Sequence, residues 1–133
     1  MESLLPLHLL LSITSIAGFI YRTKKGVIRK GKRLQITQQE IAGSYGDRLT
    51  ILQFSTTFCS ECRAAKAIVK SVVADLPGVT YLEIDAESNL ELVRRVDIRS
   101  TPTTIFLDKA GFEIARAKGA PKRDQLVKVI TAL

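Results

Sequence analysis

The run LLPLHLLLSITSIAGFIY, residues 4 to 21, contains no Asp, Glu, Lys or Arg, and it decides how much of the chain is left to build a domain. Wound as an α-helix, these residues rise about 27 Å, near the lower limit for crossing a bilayer core of roughly 30 Å. Pro6 falls in the first turn, where its missing N–H does little harm. Ser12, Thr14 and Ser15 can bond to the helix's own carbonyls, and Tyr21 and Arg22 suit the membrane interface. His8 reads as a tolerated polar group near the outer interface. Residues 1–21 are therefore expected to be an uncleaved transmembrane anchor. Two rivals are a non-membrane helix and an export signal, since Ser15-Ile16-Ala17 is a passable small-x-small cleavage site. A secretory signal begins with a basic region, however, and here Met1-Glu2 stands in its place.

The chain has 133 residues and a formal charge of +7, which taken whole would suggest nucleic acid or anionic lipid as a partner. The charge is concentrated. Seven basic residues, Arg22, Lys24, Lys25, Arg29, Lys30, Lys32 and Arg33, fall within twelve positions that hold no acid. Residues 34–133 carry thirteen Lys/Arg against twelve Asp/Glu, so composition offers no basic face there and no nucleic-acid partner is expected. Positive charge following the apolar run places the amino terminus outside and the remainder in the cytoplasm, with an extracytoplasmic domain as the alternative. Residues 22–33 read as a basic juxtamembrane linker, because Gly26 and Gly31 oppose packing while the cations favour anionic headgroups.

Residues 34–133 have room for one domain, and strand and helix periods alternate along them. Leu34 to Ile36 reads as a short edge strand. Thr37-Gln-Gln-Glu40 has the capping-box form and opens a short helix to about Ser44. Leu49 to Ser55 is a strand covered on both faces. From Cys59 to about Leu76, apolar residues recur at threes and fours, with Arg63, Lys66 and Lys70 opposite, until Pro77-Gly78 ends the helix. Val79 to Asp85 reads as a second buried strand, Asn89 to Val96 as a helix that Ser88 caps, and Thr103 to Leu107 as a third strand. A turn at Lys109-Ala-Gly111 leads to a strand from Phe112 to Ala117. A closing helix from Pro121 turns Leu126, Val127, Ile130 and Leu133 inward. The order βαβαβαββα gives an α/β domain with one mixed sheet and helices on both faces.

Both cysteines, Cys59 and Cys62, lie where the Leu49–Ser55 strand passes into the long helix. A structural zinc site needs four ligands, and two Cys with one His inside the apolar run do not supply them, so no metal is expected. A static staple is a poor use of so short a loop. The plain alternative is two ordinary buried apolar residues. The redox reading has a direct physical basis. Unpaired N–H groups and the positive end of the helix dipole stabilise a thiolate at Cys59, the nucleophile. Cys62, one turn on and on the apolar stripe, waits as the resolving thiol.

Taken together, the strand ending FSTTF, the Cys59-Ser60-Glu61-Cys62 motif, the strand ending Glu83-Ile84-Asp85, and Ile98-Arg99-Ser100-Thr101-Pro102-Thr103 resemble the thioredoxin family over about one hundred residues. Gly111 and Gly119 stand where that family has its hairpin and substrate-groove glycines. With its apolar run and basic segment, the chain also resembles bacterial membrane-tethered thioredoxin-like proteins. The resemblance implies a thioredoxin-like fold and a cis Pro102 facing Cys59, with the Thr101 backbone pairing with a substrate strand. Phe58, Ser60, Glu61 and Gly119 would then flank the bound substrate. Departures are plain: Ser60-Glu61 stands for Gly-Pro, Phe58 for Trp, Gln53 for a buried Asp, and Tyr81 for the Lys paired with that Asp. Gln53 can hydrogen-bond but is no base near neutral pH.

The expected activity is a membrane-anchored thiol–disulfide oxidoreductase that reduces protein disulfides, works as a monomer, and is restored by an external reductase system. It needs no cofactor beyond the Cys59–Cys62 pair. The alternatives are an exported oxidoreductase and a non-catalytic adaptor that uses the Pro102 groove.

Overall fold

The computed structural model describes residues 2–132. Along the chain run α1 (Leu5–Lys24), β1 (Ile28–Lys30), α2 (Gln38–Ile41), β2 (Leu49–Ser55), α3 (Ser60–Val73), β3 (Val79–Asp85), α4 (Leu90–Arg95), β4 (Thr103–Leu107), β5 (Glu113–Lys118) and α5 (Arg123–Thr131). Five strands form one mixed sheet in the order β1-β5-β4-β2-β3. Only β2 and β3 run parallel, as a strand–helix–strand crossover requires; the other pairs are antiparallel.

All seven residues of β2 are buried, because the strand is covered on both faces. Alternation sends Leu49 and Ile51 toward Val69, Phe106, Leu126 and Ile130 on one side. It sends Leu52 and Phe54 toward Ile84, Leu92, Val96, Ile105 and Leu107 on the other. Gln53 shares the parity of Leu49 and Ile51, so its amide points to the face that α3 covers. This placement positions the site.

None of α1 is buried; its twenty apolar-rich residues are long enough to cross a membrane, and a signal sequence has the same form. Its end is stitched to the domain by backbone. Gly26 N–H donates to the Lys118 carbonyl at 2.7 Å and Gly26 C=O accepts from Lys122 N–H at 3.2 Å. Ile28 N–H donates to Gln125 Oε1 at 2.8 Å.

Several expectations are corrected. The edge strand lies at Ile28–Lys30, not at 34–36, where only a single bridge, Gln35 to Phe112, remains. Gly26 and Gly31 do not oppose packing. A Cβ on Gly26 would sit 2.1 Å from the Ala120 carbonyl oxygen, and one on Gly31 would sit 2.6 Å from Glu113 Cγ, so their bareness is what lets the segment dock. The capping box forms, with Glu40 N–H donating to Thr37 Oγ1, but Ala42 turns left-handed and α2 ends early.

Ser88 does not cap α4. Its hydroxyl donates to Asp85, and Asn89 is the cap residue, without a side-chain bond. β3 is an edge strand and mostly half-buried, since β2 is its one partner. Val127 is exposed, whereas Leu126 and Ile130 are buried as expected. Leu133 lies outside the described residues.

Candidate active site

Cys59 is the N-cap of α3, in extended conformation, and its Sγ accepts the Cys62 N–H at 3.1 Å. The two sulfurs are bonded, with Cα atoms 5.2 Å apart, so the site is in its oxidised state. Cys59 is partly exposed; Cys62 is only 5% exposed and packs on the buried stripe with Ala65 and Val69. The same strand-to-helix turn therefore presents one sulfur to solvent and tucks the other beneath. The first-turn N–H groups and the helix dipole favour negative charge at the outer one.

Beside the pair lies a cavity of about 520 Å³ with Thr56, Arg63, Lys66, Glu83 and Asp85 in its wall. Lys66 and Glu83 neutralise each other at 3.0 Å. Asp85 is held below the usual carboxylate range by the Ser88 hydroxyl, at 2.7 Å, and the Glu87 N–H, at 3.0 Å, so it is ionised at neutral pH.

The side chain that reaches the Cys62 backbone from β2 is an amide. Gln53, fully buried, donates Nε2–H to the Cys62 carbonyl at 2.8 Å and to Ser55 Oγ at 3.0 Å. Its Oε1 accepts from the Tyr81 hydroxyl at 2.9 Å. Burial, with Glu83 nearby, raises the Tyr81 phenol well above its ordinary value, so it stays a donor. Gln53 and Tyr81, singled out as replacements, thus form a neutral, satisfied network. Thr104, the register partner of Gln53, has a buried hydroxyl with no hydrogen-bond partner.

The Thr101–Pro102 peptide bond is cis, and the Pro102 carbonyl accepts the Gly119 N–H at 2.8 Å. The Thr101 and Thr56 hydroxyls lie 3.3 Å apart, tying this loop to the end of β2. Gly119 has a φ of +82°, which favours glycine, and a Cβ there would press on the exposed Lys25 side chain. Glu61, Thr101 and Gly119 come together around a cavity of about 300 Å³. Phe58 is 98% exposed and, like Ser60, lines neither cavity.

The same cavity holds residues that sequence reasoning missed: Tyr21, Lys24 and Lys25 from the end of α1, and Lys118 from β5. Lys25 forms an ion pair with Glu61, inside the Cys59–Cys62 motif. Pairs so far apart in the chain leave no periodicity or spacing by which a sequence could reveal them.

The thioredoxin family model matches residues 35–132. Thioredoxin of Chlamydia trachomatis is 30% identical over 96 residues, covering 72% of this chain and 93% of that protein. Among solved structures, the germline-specific thioredoxin Deadhead of Drosophila melanogaster superposes with a TM-score of 0.58 at 31% identity, covering 65% of this chain and 82% of that one. Fasciola hepatica thioredoxin gives 0.57 at 26% identity with the same coverage. With the family model matched over most of its length and its cysteines paired at a helix start, this chain belongs to the thioredoxin family and is a thiol–disulfide oxidoreductase.

Proposed function

We propose that the chain is a membrane-anchored protein disulfide reductase whose thioredoxin domain works on the cytoplasmic side. One observation carries the chemistry: Cys59 is partly exposed at the start of α3, whereas Cys62 is buried behind it. Steric access makes Cys59 the nucleophile and Cys62 the resolving thiol.

In the reduced chain, the Cys59 thiolate attacks one sulfur of a substrate disulfide. That S–S bond breaks, a mixed disulfide forms at Cys59, and the first substrate sulfur leaves as thiolate. Cys62 then gives up its proton, attacks Cys59 Sγ and expels the second substrate sulfur. Two electrons have passed to the substrate and the Cys59–Cys62 disulfide remains, to be reduced by an external dithiol reductase system. With Gln53 where a base would stand, the Cys62 proton leaves to water or to another group. A substrate strand would lie along the Thr101 backbone beside Pro102 and Gly119, flanked by Phe58, Ser60 and Glu61.

Residues 1–21 supply the anchor, and the basic residues 22–33 favour the cytoplasmic leaflet. A cytoplasmic domain faces a reducing pool, which sets the net direction as reduction. Two measurements test the proposal. Cys62→Ser should accumulate disulfide-linked substrate adducts, and Cys59→Ser should abolish disulfide reductase activity under dithiol recycling. Full activity in Cys59→Ser would falsify the assignment of roles. A carboxy-terminal reporter active only outside the membrane would reverse the orientation.

A further inference from the structure

The β1–β5 edge gathers charge that the redox chemistry does not use. Arg29 and Arg116 are register partners, so their side chains leave the same face of the sheet, and Lys118 lies two residues further along that face. Like charges directly opposite one another destabilise a strand pair. Arg116 has an internal counter-ion: Glu113, fully buried, accepts from its guanidinium, with one bond at 3.0 Å. Lys32 is engaged by Asp97 at 2.8 Å. Among the described residues, no carboxylate oxygen lies within 4.0 Å of the side-chain nitrogens of Lys24, Arg29, Lys30 or Lys118.

These six cations, Lys24, Arg29, Lys30, Lys32, Arg116 and Lys118, line one cavity of about 260 Å³. Four come from the basic run of residues 22–33, at the end of α1, in β1 and just after it, and the fold adds Arg116 and Lys118 from β5. Four of the six have no such carboxylate among the described residues, and a wall of one sign draws an anion. The guanidinium groups suit phosphate oxygens, and the ammonium groups serve as point charges around them.

We propose that this cavity binds the phosphate of an anionic membrane lipid. The lipid source follows from position: Lys24 is both the last residue of α1 and part of the cavity wall. Headgroup phosphates lie where a membrane-crossing helix ends, and the lipid assignment rests on reading α1 as that helix. Lys24 and Lys118 also line the cavity shared by Glu61, Thr101 and Gly119. A headgroup held here therefore keeps the substrate groove at the membrane surface.

The test uses the full chain reconstituted with vesicles of phosphatidylcholine alone or with phosphatidylglycerol added. A brief pulse of acetic anhydride labels exposed lysines, read residue by residue by mass spectrometry. Lys118 reports the cavity because it lies outside the basic juxtamembrane run, and exposed Lys128 on α5 is the reference. Phosphatidylglycerol should slow Lys118 labelling about fivefold relative to Lys128, and Arg29→Gln should remove most of that protection. Equal labelling of Lys118 in both membranes overturns the site. So does equal protection of Lys128, which would mean diffuse attraction. Protection by inorganic phosphate with phosphatidylcholine vesicles, to the same degree, overturns the lipid assignment. Flotation with phosphatidylcholine vesicles reads the anchor separately. A chain that floats without Lys118 protection refutes the lipid site, whereas protection without such flotation refutes the anchor and leaves the site standing.

Discussion

The Gln53 side chain donates to the Cys62 backbone carbonyl at 2.8 Å. A neutral amide, not an acid, therefore supports the resolving cysteine, and Tyr81 completes it from the edge strand. Gln53→Leu would strand the half-buried Tyr81 hydroxyl and take from the Cys62 carbonyl the bond it accepts besides its intrahelical one, at a cost of about 1–3 kcal/mol. Gln53→Asp has a different signature. A buried carboxyl without a cation has its pKa raised above the unfolded value, so the folded state holds a proton that the unfolded state releases. Thermal melts should show this variant losing stability relative to wild type as pH rises above about 4, and converging toward it below.

Thr104 makes the opposite case. Its hydroxyl is buried with no partner, so Thr104→Val removes an unmet desolvation penalty while keeping the shape of the side chain. Urea unfolding should show a gain of about 1 kcal/mol. A loss of similar size would mean that the hydroxyl is satisfied in solution.

Lys25 brings the end of α1 into contact with the redox motif through Glu61. Unpaired, Glu61 would disfavour a thiolate two residues away at Cys59, and Arg63 would favour it. The other charged groups around the cysteines are Lys66, Glu83 and Asp85. Lys25→Gln should raise the apparent pKa of the reduced Cys59 thiol by less than about one pH unit, since the pair is well exposed. The shift should vanish in a Glu61→Gln background. Iodoacetamide rates against pH measure both, and an equal shift in the two backgrounds would rule out the coupling.

Asp97 links Lys32, after β1, to Arg99, before the cis-proline loop, at 2.8 Å each. The Lys32 ammonium and then the Arg99 guanidinium hold its carboxyl well below its ordinary value of 3.8. A depressed carboxylate stabilises the fold above the unfolded pKa and loses that stabilisation as pH falls through the folded one. Asp97→Asn tolerates the left-handed backbone there, φ 57°. The stability gap between wild type and Asp97→Asn should hold steady from about pH 8 to 5 and close in more acidic solution. High salt should shrink it throughout.

The bounds of β2, β3 and β4 are legible in the sequence, because compact apolar runs leave a strand few alternatives. Cys59 and Cys62 declare themselves by their spacing and by the strand ahead of them. The Ile28–Lys30 strand does not, because two of its three residues are charged and exposed, and backbone pairing with β5 defines it. Periodicity turns Val127 inward, yet α5 buries a narrower stripe than its apolar residues would fill. The basic run of residues 22–33 is legible in the sequence, but its meeting with the β5 cations is not, for a topological reason. It exists only once Gly26 lets the end of α1 dock against β5 and α5.

The assignment of Cys59 as attacking sulfur is tested most directly by competitive alkylation of the freshly reduced full chain at neutral pH, with mass spectrometry assigning each adduct. Cys59 should be modified first and at a rate that already reflects thiolate near pH 7, with Cys62 lagging until the fold is opened by denaturant. Equal rates at the two sulfurs, or a Cys59 that stays inert until about pH 8.5 and beyond like an unperturbed thiol, would contradict it.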